Sequence, residues 1–177
     1  MNGSDYRYPI GRFRSPRSVD AQARAEFIQH IESLPEQLET AVRGLEVRQL
    51  ETRYRDGGWT VRQVVHHLAD SPLNAYARFK LALTEESPLI KPYDEARWAE
   101  TPDARASDIA PSLSLLGSLH QRWVGCMRAL PESSFSRTFQ HPEAGTMTLD
   151  QQLALYSWHG RHHLAHITSL AARLGWS

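Results

Sequence analysis

The stretch "TLDQQLALYSWHGRHHLAHITSLAARLG", residues 148–175, reads as one long helix. Thr148 and Gln151 form a Thr-x-x-Gln capping box. The hydroxyl accepts from the amide of the third helical residue, and the glutamine side chain reaches back to the cap's own amide. Gly175 is placed to end the helix, because glycine takes the left-handed C-cap conformation without penalty. Set His159 at zero on a wheel of about 100° per residue. Leu149, Leu153, Tyr156, Ile167, Leu170, Ala171 and Leu174 then share an arc from about +20° to +120°. One apolar arc of this width is the core-facing side of a helix in a bundle.

The same helix carries four of the nine histidines in the chain. His163 falls at about +40°, His166 at about −20° and His162 at about −60°. His163 therefore lies inside the apolar arc and His159 at its edge, while His162 and His166 point in a wetter direction. Residues four apart are neighbours on a helix surface, which is why helical metal pairs use this spacing. A lone histidine on such a face is usually the partner of a buried polar group. Four on one face point to a metal, with His159 and His163 aimed into the bundle.

Two imidazoles do not complete a shell, so a further ligand must come from another helix. The other adjacent histidines are His66 and His67 in "VVHHLADSP", residues 64–72. Asp70 lies within one turn of both, where it can orient a liganding imidazole, bind the ion or move a proton. Neither histidine lies on the stripe of Val61, Val64, Val65 and Leu68, so the spacing leaves the choice between them open. His30, His120 and His141 stand alone and read as structural.

Working outward, residues 1–17 carry Pro9, Gly11 and Pro16 and read as an extended arm. Ser18 reads as the N-cap of a helix over 19–34. Pro35 is expected to kink or restart it before a second helical piece over 36–50. Gly57 and Gly58 break the chain. Thr60 and Gln63 form another capping box, opening a helix to about Glu85 that Pro72 should bend or divide. Residues 87–107 lack periodicity and read as an irregular loop or lid. A further helix runs from about Pro111 to Leu130. In "FSRTFQHPEAGTMTL", residues 135–149, Phe135 and Phe139 suggest strand and "PEAG" a turn, so a short hairpin is expected. The reading is an all-α chain, one domain over 1–177, with four main helices in a bundle, a long irregular loop and a short hairpin.

Composition narrows the function. Lys+Arg and Asp+Glu are 20 each, so the net charge is zero, without the basic footprint that nucleic acid or an anionic membrane requires. No apolar run approaches a membrane span and the first residues lack the centre of a signal peptide, so a cytoplasmic protein is expected. The single cysteine, Cys126, excludes an internal disulfide and reads as core filler.

The segments "YPIGRF", "YRDGGWTVRQVVHHLADS", "RFKLALTEE", "IKPYDEARW", "LHQRW" and "WHGRHHLAHI" together resemble the YfiT group of the DinB-like superfamily, and they spread over most of the chain. That resemblance implies a DinB-like four-helix bundle, a homodimer and a metal-dependent hydrolase. It implies zinc or nickel held by three histidines: His67, the second of "HHLAD", with His159 and His163. His159 and His163 agree with the wheel, and His67 rests on the resemblance alone. Relatives in the superfamily include thiol S-transferases that use bacillithiol or mycothiol.

Three neutral imidazoles leave a coordination position open, the layout of a catalytic site. The first functional reading is a hydrolase in which the divalent ion activates water to attack a small substrate, with Asp70 as the motif's own acid–base group and Asp94 and Glu95 of the long loop as outside candidates. The alternatives are a transferase that activates a low-molecular-weight thiol, and a non-catalytic metal-binding module. Arg78, Arg97, Arg122 and Tyr93 are the polar groups available to hold such a thiol.

Overall fold

A computed structural model describes residues 5–176. Seven helices and one hairpin follow in chain order. They are α1 (Ala21–Val42), α2 (Val47–Leu50), α3 (Val61–Thr84), α4 (Glu95–Trp98), α5 (Pro102–Ala106), α6 (Ala110–Arg128), β1 (Thr138–His141), β2 (Gly145–Thr148) and α7 (Leu149–Leu174). A 3₁₀ turn covers Glu132–Ser136. The four long helices form a bundle in which α1 packs on α7 and α6, and α3 packs on the same two. Thus α1 and α3 face each other diagonally, as do α6 and α7. No described helix is long and apolar enough to cross a membrane.

Both capping boxes form. The Thr60 and Thr148 hydroxyls accept from the Gln63 and Gln151 amides, and each glutamine returns to its cap. Gly175 ends α7 at φ 66° in the left-handed region. The apolar core has two bodies, one about Phe79, Trp123, Phe139 and Leu153, the other about Leu38, Leu68, Leu116 and Ile167. On α7 the histidines lie between Leu153 and Ile167, hence between the two bodies. Gly160 sits among them for a packing reason. A Cβ there would stand 2.5 Å from a methyl of Leu34, itself buried, so a side chain would push α1 off α7.

Several expectations are corrected. The N-cap of α1 is Asp20, whose carboxylate accepts from the Ala23 amide, rather than Ser18. Pro35 neither breaks nor restarts α1, which runs through it to Val42. Pro72 does not divide α3 either. The expected helix over 36–50 ends at Val42, and only Val47–Leu50 resumes as α2. Phe135 belongs to the 3₁₀ turn and not to a strand. The hairpin is present, pairing Thr138 with Thr148 and His141 with Gly145 around a three-residue turn. Residues 87–107 are not structureless. The 88–90 segment is pinned along β1 by Ile90 N–H to Gln140 O (3.0 Å) and Gln140 N–H to Pro88 O (2.8 Å), and α4 and α5 follow.

The tolerance of Pro35 has a specific cause. A proline at 35 removes the amide that would bond to the carbonyl of Ile31. That carbonyl instead accepts from Nδ1 of His120 on α6, at 2.6 Å. His120 is 2% exposed, and burial pushes its pKa down to about 4 from an ordinary 6.5. The folded ring is neutral, so between about 6.5 and about 4 the unfolded chain binds a proton that the folded chain refuses. Its contribution is complete above pH 6.5 and declines as pH falls toward 4.

His120→Leu should therefore cost about 1–3 kcal/mol in urea denaturation at pH 7.5, the range for stranding a buried carbonyl. The deficit should narrow at pH 5 and narrow again in a Pro35→Ala background, where residue 35 supplies the amide. A cost independent of both pH and residue 35 would contradict the pairing.

Candidate metal centre

His67 projects from α3, and His159 and His163 from successive turns of α7. Nε2 of His67 lies 3.1 Å from Nε2 of His159. The ring centroids stand 5.1 Å apart for His67 and His159, 4.7 Å for His67 and His163, and 4.5 Å for His159 and His163. One ligand atom from each ring lies within 4.8 Å of the others. Burial holds all three well below their usual basicity, with His67 at about 4, and the neighbouring imidazoles push His159 and His163 further the same way. All three are neutral near pH 7 and offer lone pairs.

This set fits a divalent ion. Nitrogens bound tetrahedrally at about 2.0–2.1 Å lie about 3.4 Å apart, close to the His67–His159 separation. Two neutral rings with ring nitrogens face to face have one proton between them at most, and the Nδ1 atoms of His159 and His163 are buried without hydrogen-bond partners among the described residues. Trp59, held by the short pairing of Arg53 with Thr60, packs against both His67 (4.7 Å) and His163 (6.0 Å).

The remaining histidines have other work. His66 turns toward α6, where Nδ1 meets Ser112 Oγ at 2.8 Å. His162 stacks on Trp158 (4.4 Å), and His166 stacks on Tyr54 (3.9 Å) with Nε2 donating to Arg7 O (3.2 Å). These two were expected to be wet. Instead they are 6% and 4% exposed, because the N-terminal arm and the Tyr54–Trp59 segment cover that side of α7. His120 is the core histidine already described, and His30 Nδ1 pairs with Ser157 Oγ at 2.9 Å.

The three imidazoles open onto a cleft of about 440 Å³ lined also by Trp59, Ser71, Arg78, Tyr93, Glu95, His141 and Tyr156. Asp70 is not among its lining residues. It is half-buried, and its carboxyl is raised by burial and then by the nearby Asp103. Of the polar groups considered from sequence, Arg78 and Tyr93 line the cleft. Arg97 is exposed beside Asp94, and Arg122 lies over Tyr76. Cys126 is on α6 and lines none of these walls. Among the described residues the Tyr93 hydroxyl is buried without a hydrogen-bond partner, and burial raises its pKa, so it stays protonated. Tyr156 donates to Ser71 O at 3.2 Å.

Sequence reasoning missed His141 and Tyr156 and ranked Glu95 behind Asp70. His141 stood alone in the sequence, yet β1 carries it to the cleft wall. Its Nδ1 accepts from the amides of Glu143 (3.2 Å) and Ala144 (3.3 Å), which leaves Nε2 as the proton carrier. The "HP" turn was the one local signal. Tyr156 lay on the apolar arc, one turn before His159 and so beside the metal pair.

A family model described as the DinB superfamily matches residues 21–167. A Bacillus cereus (strain 03BB102) protein, provisionally named a metal-dependent hydrolase, is 52% identical over 173 residues, covering 98% of this chain and 99% of its own length. A Bacillus mycoides (strain KBAB4) protein of the same provisional name is 51% identical over 172 residues, covering 97% and 99%. The solved structure of YfiT from Bacillus subtilis is described in the same provisional terms and as a four-helix bundle of unusual topology. It matches with a TM-score of 0.94 at 50% identity, covering 97% of this chain and 99% of that one. Another solved four-helix bundle protein, at 19% identity, a TM-score of 0.57 and coverages of 82% and 98%, shares the fold.

Purified protein should hold about one divalent ion per chain, as one three-histidine site implies. Single replacement of His67, His159 or His163 by Ala should remove most of it by elemental analysis, and His66→Ala or His162→Ala should not. Since burial holds His67 near 4, protons should displace the ion only as pH falls well below 6.5 toward 4. Loss of the ion in His162→Ala with retention in His159→Ala would refute the ligand set.

Proposed function

The chain belongs to the DinB superfamily, and from that premise we propose that it is a metal-dependent hydrolase of small molecules, with His67, His159 and His163 as ligands. One observation carries the reading: three neutral imidazoles converge at the wall of a cleft that also holds a carboxylate, a protonated phenol and a cation. A divalent ion held there, zinc or nickel, supplies Lewis-acid activation of water.

The chain's own groups divide the remaining work. Glu95, placed over the cleft by the cap of α4, is the carboxylate assigned to accept the proton of the attacking water. This role was expected of Asp70, which stands off the cleft beside Asp103. The Tyr93 hydroxyl, protonated and without a partner, is a donor for the oxygen that gains charge as a carbonyl is attacked. His141, with Nδ1 occupied by backbone amides, offers Nε2–H on the opposite wall. Trp59 and Tyr156 wall the ligands from bulk water, which strengthens these interactions.

The test compares nucleophiles. With metal-loaded protein, cleavage of a panel of small esters and amides should be lost in His163→Ala. Tyr93→Phe should lower kcat by about 10²-fold, the cost of one oxyanion donor, with little change in KM. Glu95→Gln should remove the limb of the pH profile that reports the base. Added bacillithiol or glutathione should only inhibit. Metal-dependent conjugation of monochlorobimane to either thiol, without ester or amide cleavage, would replace the hydrolase reading by the thiol transferase. Turnover of neither class by a filled site would leave a metal-binding module.

A further inference from the structure

The cleft at the histidines is joined by a second chamber of about 360 Å³, which shares Arg78, His141, Leu155 and Tyr156 with it as common walls. The chamber is mainly apolar, formed by Phe13 from the N-terminal arm, Phe139 and Met147 from the hairpin, and Leu155 from α7. It lies within the size range of small-molecule sites.

Two polar groups in its wall are without a matching partner among the described residues. Arg78 lines both chambers and is half-buried, yet it pairs with no carboxylate among the described residues. Its one hydrogen bond is a long donation to Lys91 O at 3.4 Å. Gln152 is 1% exposed. Its Nε2 donates to Ala75 O at 2.8 Å, which fixes the orientation of the amide, and its Oε1 is buried without a partner. A half-buried guanidinium asks for an anion, and a buried amide oxygen asks for an N–H or O–H donor.

We propose that the hydrolase site takes N-acylated apolar amino acids, with the carboxylate on Arg78, the side chain in the Phe13–Phe139–Met147–Leu155 chamber and the amide N–H on Gln152 Oε1. The proposal rests on the hydrolytic reading and names its substrate class. An acylamino acid carries an anion, an N–H donor and an apolar group on one carbon, with its scissile carbonyl next to the N–H. Hydrolysis adds one water. The amide C–N bond breaks, a C–O bond forms, both water protons pass to the leaving nitrogen, and the products are a carboxylate and an amino acid with a free ammonium group.

The test is binding of a probe that cannot be cleaved at a carbonyl, N-methanesulfonyl-L-phenylalanine, and of its neutral carboxamide, measured by calorimetry on the metal-loaded chain. The acid should bind at least about tenfold more tightly than the carboxamide, the effect of one charge-assisted pair. 3-Phenylpropanoate, which lacks the N–H, should bind more weakly than the acid. Arg78→Met should erase the preference for the acid, leaving carboxamide affinity and metal content unchanged. Equal affinity of the unmodified protein for acid and carboxamide would overturn the assignment, as would full acid affinity in Arg78→Met. A preference for the acid in a protein that cleaves no ester or amide would overturn the hydrolytic reading alone. Hydrolysis of neutral esters without any preference for the acid would overturn this substrate class alone.

Discussion

The structure depends on one constraint: three imidazoles from two helices must be held together, neutral and turned toward a common point. Nothing in the rings themselves does this. Two facing ring nitrogens 3.1 Å apart share one hydrogen at most, and burial disfavours charging either ring. The registry between α3 and α7 is therefore fixed from outside, by the two apolar bodies above and below the histidines. Gly160 lets α1 close directly on α7 at this level. A bulkier residue would spread the bundle where the spacing of the nitrogens matters most.

The parts around the bundle give the centre its access and its chemistry. The N-terminal arm and the Tyr54–Trp59 segment seal one side of α7, so His162 and His166 become packing groups under aromatic rings. The 88–90 segment is tied to β1, and the chain that follows brings Tyr93 and Glu95 to the wall of the cleft shared with the histidines. The three imidazoles, Arg78 and Gln152 sit on the stiff helices α3 and α7, while arm, loop and hairpin add Phe13, Tyr93 and His141 to the walls of the cleft and its chamber.

What could be read from the sequence follows from the range of the interactions. Capping boxes, a glycine stop and an apolar arc are local, so the limits of α3 and α7 were legible, and so was the His159/His163 pair. The survival of α1 through Pro35 was not, because the donor that satisfies Ile31 comes from His120, far along the chain. The burial of His162 and His166 was hidden for the same reason: a helix wheel contains no arm. The carboxylate that lines the cleft was harder to read, because Asp70 is near the histidines in sequence, whereas Glu95 shares their cleft in space. His66 and His67 could not be separated by spacing alone. The structure separates them by their partners, with Ser112 for His66 and His159 for His67.

If these three imidazoles form one metal shell with an open position, X-ray absorption at the metal edge of the protein as purified will show it. Three imidazole nitrogens are expected at about 2.0–2.1 Å, with one or two further light atoms that exchange when a small anion is added. A sulfur scatterer in the purified protein, a saturated shell that no added ligand perturbs, or a spectrum unchanged by His67→Ala would contradict it.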